Sequence, residues 1–385
     1  MDFNLTQEQE LLRRSVRDFA ENEIAPVAAE LSRTETFSEN LTRKMGELGL
    51  FGCVVSPDYG GQGMDYLSYI IAVEEVARVD GSHAATVAAG NSLGIGPIYY
   101  FGSEEHKRKY LPDLCAGKKL WGFGLTEPEA GSDAGASRTK AALEGGQWVL
   151  NGSKIFITNS AAAMSWGSTI QCITGRSADG RPEHSCILVE NGAPGYTTKE
   201  MHRKLMWRAS NTGELYLDSV RVPQTNLLGK RGDGFRQMLA TLDAGRLSIG
   251  AMGLGCAQGA FEAAAKYALQ RKQFGKPIAS FQANEFKLAD MAMKIEAARN
   301  LLYKACWLKD NHKPFKTEAA MAKLYCSEVA HECADHCVQL HGGYGLMEEY
   351  PAERFYRDQR LLEIGEGTSE VQRIVIARDV LNRFS

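Results

Sequence analysis

Glu366 stands between Gly365 and Gly367 in the stretch LEIGEGTSEVQRIVIAR, Leu362–Arg378. The question is what a lone carboxylate does in such a setting. Ser369 with Gln372 reads as a capping box, so a last helix is expected to start at Ser369. An acid just ahead of that start meets the positive end of the helix dipole, which suffices for stability. It gives no reason for the two glycines, which cost chain entropy. Glycines beside an acid suit a place where another molecule must approach the backbone closely.

Three further stretches carry groups for chemistry. GFGLTEPEAGSDAGA at Gly122–Ala136 combines a free backbone at Gly131 with hydroxyls at Thr126 and Ser132. These are donors for a polar ligand such as a flavin ring or a phosphate, or else the turn and cap residues of a surface loop. RKQFGKPIASFQ at Arg271–Gln282 sets cations beside a Gly-Lys-Pro turn. Cations meet a pyrophosphate well, and equally suit an exposed helix C-terminus. HECADHCVQLH at His331–His341 places Cys333, His336 and Cys337 on one helix. Such a set rarely closes a tetrahedral zinc site without a ligand from elsewhere, so buried cysteine packing and no metal is the expectation.

The elements that must position these groups fall into three regions by pattern. Up to about Leu120 the chain reads as helices. Thr6 with Gln9 forms a capping box, Leu11, Leu12, Val16, Phe19 and Ala20 recur at helical spacing, and further helices are expected near Ser38–Leu48 and Tyr66–Val79. The middle, to about Leu228, alternates like strands at Thr169–Gly175, Ser185–Glu190 and Gly213–Val222, and Asn151-Gly152 predicts a hairpin turn. Helical spacing then returns at Asp233–Arg271, Gln282–Asn311, Thr317–His341 and Ser369–Phe384. The first of these carries Gly250, Ala251, Gly253, Gly255, Ala257 and Gly259, small enough for close helix approach.

Composition narrows the class. The 385 residues are 44% hydrophobic and 24% charged, as in ordinary soluble proteins. A formal net charge of -3 points away from nucleic acid and anionic membrane surfaces. No apolar run has the length of a membrane span. MDFNLTQEQE lacks the basic start and apolar core of a secretory signal and the pattern of a transit peptide. Nine scattered cysteines, an odd number, argue against a disulfide framework, and a reducing cytoplasm is the expected setting.

In this order, LTEPEAGSD, NGSKIFITN, RKQFGKPI, QLHGGYGLMEEYPAERFYRD and EGTSEVQRIVIAR resemble the flavin-dependent acyl-CoA dehydrogenases over nearly the whole chain. LKDNHKPF and EAAMAKL are most similar to the short-chain, butyryl-type branch. The resemblance implies an α+β fold: an N-terminal α-helical domain at 1–121, a middle antiparallel β-barrel-like domain at 122–228 and a C-terminal four-helix bundle at 229–385. It implies FAD as cofactor, an acyl-CoA as substrate, a trans-2-enoyl-CoA as product, an electron-transfer flavoprotein as electron acceptor, and a homotetramer.

The resemblance also assigns residues. The Glu of its EGT motif is the general base, here Glu366. Flavin contacts carry over to Phe123, Leu125, Thr126, Gly131 and Ser132, and to Phe156, Ile157 and Thr158. Others, reaching a neighbouring subunit's flavin, are Arg271, Phe274, Gln282, Gln339, Leu340, His341, Gly342 and Gly343. Thr368, Ser369 and Glu370 complete the flavin set. Thioester and CoA contacts carry over to Ser132, Asp243, Arg246, Gly365 and Gly367. Some members carry the base on another helix; the matching position, in LDAGR, is Gly245, so no acid competes with Glu366.

Two departures stand out. The residue before the base is usually Tyr and here is Gly365, and the usual Trp beside the flavin is Phe156. With Gly245 also small, room for a branched, cyclic or aryl acyl group is expected. HAATVAAGNSLG at His83–Gly94 lacks the arginine that glutaryl-type members use for a distal carboxylate, which favours a monocarboxylic chain. The same scaffold also hosts oxidases and monooxygenases, which sequence separates poorly, and flavin-bearing nucleic-acid binders, which carry a basic C-terminal extension absent from this sequence.

Overall fold

The computed structural model describes residues 4–177 and 180–384. Seven helices come first: α1 (Gln7–Phe19), α2 (Ala25–Thr34), α3 (Glu39–Glu47), α4 (Tyr66–Ala77), α5 (Gly81–Ala89), α6 (Gly96–Phe101) and α7 (Glu104–Cys115). The capping box at α1 is formed: Thr6 Oγ1 accepts from the Gln9 amide at 3.2 Å, and Gln9 Oε1 accepts from the Thr6 amide at 3.0 Å. Two π-helical turns, Ala20–Ile24 and Gly90–Ile95, join α1 to α2 and α5 to α6. The periodicity gives no sign of either. Inside the second, Asn91 donates to the carbonyls of Leu50 and Val87 and accepts from the Cys53 amide, so the widened turn is held from across the fold.

Eight strands follow: β1 (Leu120–Gly124), β2 (Lys140–Glu144), β3 (Gln147–Thr158), β4 (Ser165–Arg176), β5 (Pro182–Glu190), β6 (Tyr196–Glu200), β7 (Thr212–Pro223) and β8 (Leu227–Leu228). Their order is β6-β7-β3-β2-β4-β5-β8, with β1 paired to β4. Most pairs are antiparallel, but β1 and β2 each run parallel to β4, so the expected antiparallel sheet is a mixed one. The hairpin expected at Asn151-Gly152 is absent. Glu144 pairs with Gln147, which puts the turn at Gly145-Gly146, both at positive φ. Asn151-Gly152 instead marks an irregularity in β3 against β7, where the Asn151 side chain accepts from the Ser219 amide.

The rest is helical: α8 (Gly234–Gln270), a two-stranded ribbon of β9 (Lys272–Gln273) and β10 (Lys276–Pro277), then α9 (Gln282–Asp310), α10 (Lys316–His341), α11 (Ala352–Asp358) and α12 (Ser369–Asn382). The ribbon turns at Phe274-Gly275, both at positive φ, one step before the Gly-Lys-Pro turn read from sequence. In α8 the small residues do what their size allows. A Cβ on Gly253 would strike the Cys326 carbonyl of α10, and one on Gly255 the Glu74 carbonyl of α4. All nine cysteines are buried and unpaired. Among the described residues no three metal-binding side chains cluster, and no helix is long and apolar enough to cross a membrane.

Candidate active site

The Glu366 loop links a 3-10 stretch at Gln359–Glu363 to α12. The cap of α12 is Thr368, whose hydroxyl accepts from the Val371 amide at 3.3 Å. Ser369 is therefore the first helical residue, not the cap. Gln372, expected to complete that box, turns outward from the helix and donates to the carbonyls of Gly367 at 2.8 Å and Glu366 at 3.3 Å. Glu366 sits at φ 52 and Gly367 at φ 94. The left-handed region costs a residue with a side chain about 1–3 kcal/mol and persists only where surroundings impose it. Lys323, buried on α10, supplies part of that imposition by donating its Nζ to the Gly367 carbonyl at 2.8 Å.

The turn aims Glu366 inward. Its Oε2 is buried and has no hydrogen-bond partner among the described residues. It lies against Gly245 of α8, where a Cβ would overlap it. Gly245 is thus small because the carboxylate occupies the space a side chain would need. Burial pushes the Glu366 carboxyl up to about 7, with the positive charges of Lys323 and Arg246 opposing. The Glu366 amide makes no hydrogen bond among the described residues and remains available as a donor.

Around this acid, Arg246 is buried and donates to Asp243 at 2.6 Å. Burial raises the Asp243 carboxyl, opposed by that arginine. Tyr66 of α4 donates its hydroxyl to the Ala244 carbonyl, and Tyr69 to the Ala88 carbonyl. Both rings face a cavity of about 450 Å³ between α4, α6, the start of α8 and the α9–α10 turn. Aromatic rings dominate its wall, with Asn91, Ser92 and Asp243 among the polar exceptions. A Cβ on Gly365 would first meet Leu361, at ordinary contact distance.

A second cleft, about 520 Å³, forms where α8 and α10 end. It gathers Arg271, Gln339, Leu340, His341, Gly342 and Gly343 as expected, along with Tyr267. The His341 ring stacks on Tyr267 with centroids 4.2 Å apart, and burial lowers its tendency to protonate. Phe274, at the ribbon turn, is 93% exposed, and Gln282 opens α9 on the surface. The remaining expected contacts lie on β1, β3 and the loop between β1 and β2. Phe123 and Leu125 are buried, Gly131 and Ser132 are exposed, and Thr126 accepts the Ile155 amide. Phe156 stands exposed on a left-handed residue, φ 62. Ile157 points into the sheet core and offers a ligand only its backbone, while Thr158 is half-buried. Ser369 is buried behind the Thr368 cap, and Glu370 is exposed in the first turn of α12.

Lys323, Gln372, Tyr66 and Tyr69 were not legible as site residues. Lys323 does leave a trace: it falls at helical spacing between Ala319 and Cys326, on the buried face of α10.

Three family models cover the chain: the N-terminal domain of acyl-CoA dehydrogenase at residues 6–118, the middle domain at 122–220 and the C-terminal domain at 232–381. The chain belongs to the acyl-CoA dehydrogenase family. It is 50% identical to a probable acyl-CoA dehydrogenase of Bacillus subtilis, over 99% of this chain and 100% of the relative. It is 47% identical to a short-chain specific acyl-CoA dehydrogenase of Clostridium acetobutylicum, over 98% and 99%. The structure of butyryl-CoA dehydrogenase from Megasphaera elsdenii superposes with a TM-score of 0.95 at 42% identity, covering 99% of this chain and 100% of that one. Acyl-CoA dehydrogenases are oxidoreductases acting on CH–CH bonds, and family members bind FAD. The residues present fit such a group: Phe156 and Phe274 hold bare rings out on left-handed turns, Arg271 offers a guanidinium, and Gly342 and Gly343 leave open space beside it.

Proposed function

We propose that this acyl-CoA dehydrogenase oxidises a short-chain monocarboxylic acyl-CoA at its Cα–Cβ bond to the trans-2-enoyl-CoA, with Glu366 as the base. The observation that carries the reading is the Glu366 carboxylate: buried, unpartnered at Oε2 and seated against Gly245. A carboxylate that makes no structural bond and titrates near working pH is matched to taking a proton from carbon. The free Glu366 amide donates to the thioester carbonyl, where negative charge develops as the α-proton leaves. Arg246 and Asp243 line the approach of the CoA chain. FAD, when bound, accepts the β-hydrogen as hydride. Phe123, Leu125, Thr126, Ser132, Phe156 and the backbone of Ile157 and Thr158 hold it from this chain, while Arg271, Phe274 and the Gln339–Gly343 segment serve the flavin of a partner copy. That exchange makes the active unit a homo-oligomer, a tetramer in this reading, with an electron-transfer flavoprotein as the electron-accepting partner.

Gly365, beside which a Cβ would meet Leu361 only at ordinary contact distance, leaves the acyl end uncrowded, which supports branched or cyclic chains beside straight ones. The test is anaerobic bleaching of the visible flavin band by butyryl-, branched, cyclohexanecarboxyl- and long-chain acyl-CoAs, with Glu366→Gln alongside. Fast bleaching by one chain class, lost in the variant, establishes reaction, base and substrate class together. A yellow protein that no acyl-CoA bleaches would remove the reading. Full activity of a Gly365→Tyr variant on bulky chains would remove the pocket argument alone.

A further inference from the structure

We infer that Lys323 and Gln372 are positioning residues for Glu366: their two donors lock the Glu366-Gly367 turn in its left-handed form, and Lys323 sets its ammonium on the same turn as the carboxylate. This rests on the role of Glu366 proposed above. The geometry is specific. The Gly367 carbonyl accepts two side-chain bonds, one from Lys323 on α10 and one from Gln372 on α12, each 2.8 Å. Gln372 also reaches the Glu366 carbonyl. Both side chains are completely buried, so neither donor has water as an alternative. The turn they hold is one that a glutamate does not adopt unaided.

The charges facing Glu366 come from several elements. Lys323 lies on α10, and Arg246 with its partner Asp243 on α8. The hydroxyls of Tyr66 and Tyr69 approach from α4, and Glu370 of α12 acts on Lys323. Arg246 shares its charge with Asp243 at 2.6 Å. Among the described residues Lys323 makes no ion pair, and its Nζ rests on the Gly367 carbonyl, the residue next to Glu366. Burial pulls the Lys323 ammonium down to about 8, with Glu366 opposing, and it remains a cation at neutral pH.

The test is an infrared pH titration of the FAD-loaded protein, following the protonated-carboxyl band that disappears in Glu366→Gln. It needs no substrate, so it stands apart from turnover. Wild type is expected to titrate near 7. Lys323→Met, close in length and apolar, should move the midpoint up by about one unit, a roughly tenfold fall in ionised Glu366 at neutral pH. Lys323→Gln, which keeps a donor and loses the charge, should move it likewise. Gln372→Leu should leave the midpoint within a few tenths and slow acyl-CoA bleaching about tenfold or more, because the base is held less well. An unmoved midpoint in both Lys323 variants overturns the charge role even if acyl-CoA turnover is intact. Unchanged bleaching in Gln372→Leu overturns the lock. Absent turnover in wild type, with the midpoint shifts present, would instead fault the proposed reaction. Should Lys323→Met fail to fold, Lys323→Gln and Gln372→Leu still decide both halves.

Discussion

Two loops of this molecule are built from the same parts and end in opposite states. At the start of the β region, buried Lys154 donates to the Leu125 carbonyl at 3.1 Å and to Glu127 at 2.7 Å. Glu127 also accepts the amides of Arg138 at 2.5 Å and Thr139 at 3.0 Å. At the other loop, buried Lys323 donates to the Gly367 carbonyl, while Glu366 is left unpartnered. Burial pushes both carboxyls up. At Glu127 the lysine and the amides outweigh it, and the net shift is downward. At Glu366 no described residue bonds Oε2, and burial lifts the carboxyl to about 7. At Glu127 the charge of Lys154 and the hydrogen bonds from Lys154, Thr139 and Arg138 outweigh burial, whereas at Glu366 burial prevails over the charges of Lys323 and Arg246. Glu127 is spent on pinning the loop that carries Thr126, Gly131 and Ser132. Glu366 is held by its backbone, which leaves its carboxylate free.

The contrast can be broken at either end. Glu366→Gln should lower turnover by about 10²–10⁴-fold, the usual yield of a general base, with the fold intact by circular dichroism. Lys154→Met should do the reverse: it strands Glu127 and costs about 3–5 kcal/mol in urea unfolding, while the pH midpoint of turnover stays in place. A midpoint that moved with Lys154 would erase the distinction between the two acids.

Stability against pH sharpens it further. The folded value of Glu366 lies above its unfolded value of 4.5, so the folded protein holds the extra proton between 4.5 and about 7. Stability contributed here falls as pH rises through that window. Glu366→Gln should therefore match wild type below the window and exceed it above pH 7 by at most roughly 3 kcal/mol. Glu127 has the opposite sign: its stabilisation is present above the unfolded value and is lost as pH falls through its lowered folded value. Thermal melts across pH read both. The smallest effect expected is that of Gly245→Ala, whose new methyl displaces the Glu366 carboxylate. About tenfold to hundredfold in kcat/KM should be lost with little change in melting.

Much of this was legible in advance, and the exceptions share a cause. The long helices α8, α9 and α10 start and stop within a residue or two of where helical spacing places them, because their apolar and small faces repeat over many turns. Glu366 was visible because a helix-dipole role alone leaves its two flanking glycines unaccounted for; in the fold, Gly367 serves a positive φ. What failed were features fixed by distant partners. Asn151-Gly152 has the chemistry of a hairpin turn, but pairing with both β2 and β7 carries β3 on through it with only a register shift against β7. Ser369-Gln372 has the letters of a capping box, but Thr368 takes the cap and the glutamine is drawn to the Glu366 loop. Phe274 at positive φ runs against its local preference. Lys323 looks like one charge in an alanine-rich helix until α12 is folded over it.

The most direct test of the contrast is exchange of the substrate's α-hydrogen for solvent deuterium under anaerobic conditions, followed against pH in wild type, Glu366→Gln and Glu127→Gln. Exchange in wild type should rise through about pH 7, vanish in Glu366→Gln and keep its midpoint in Glu127→Gln. Exchange that survives in Glu366→Gln with the wild-type pH profile would show that another group takes the proton, and that the unpartnered carboxylate is not what the site is built around.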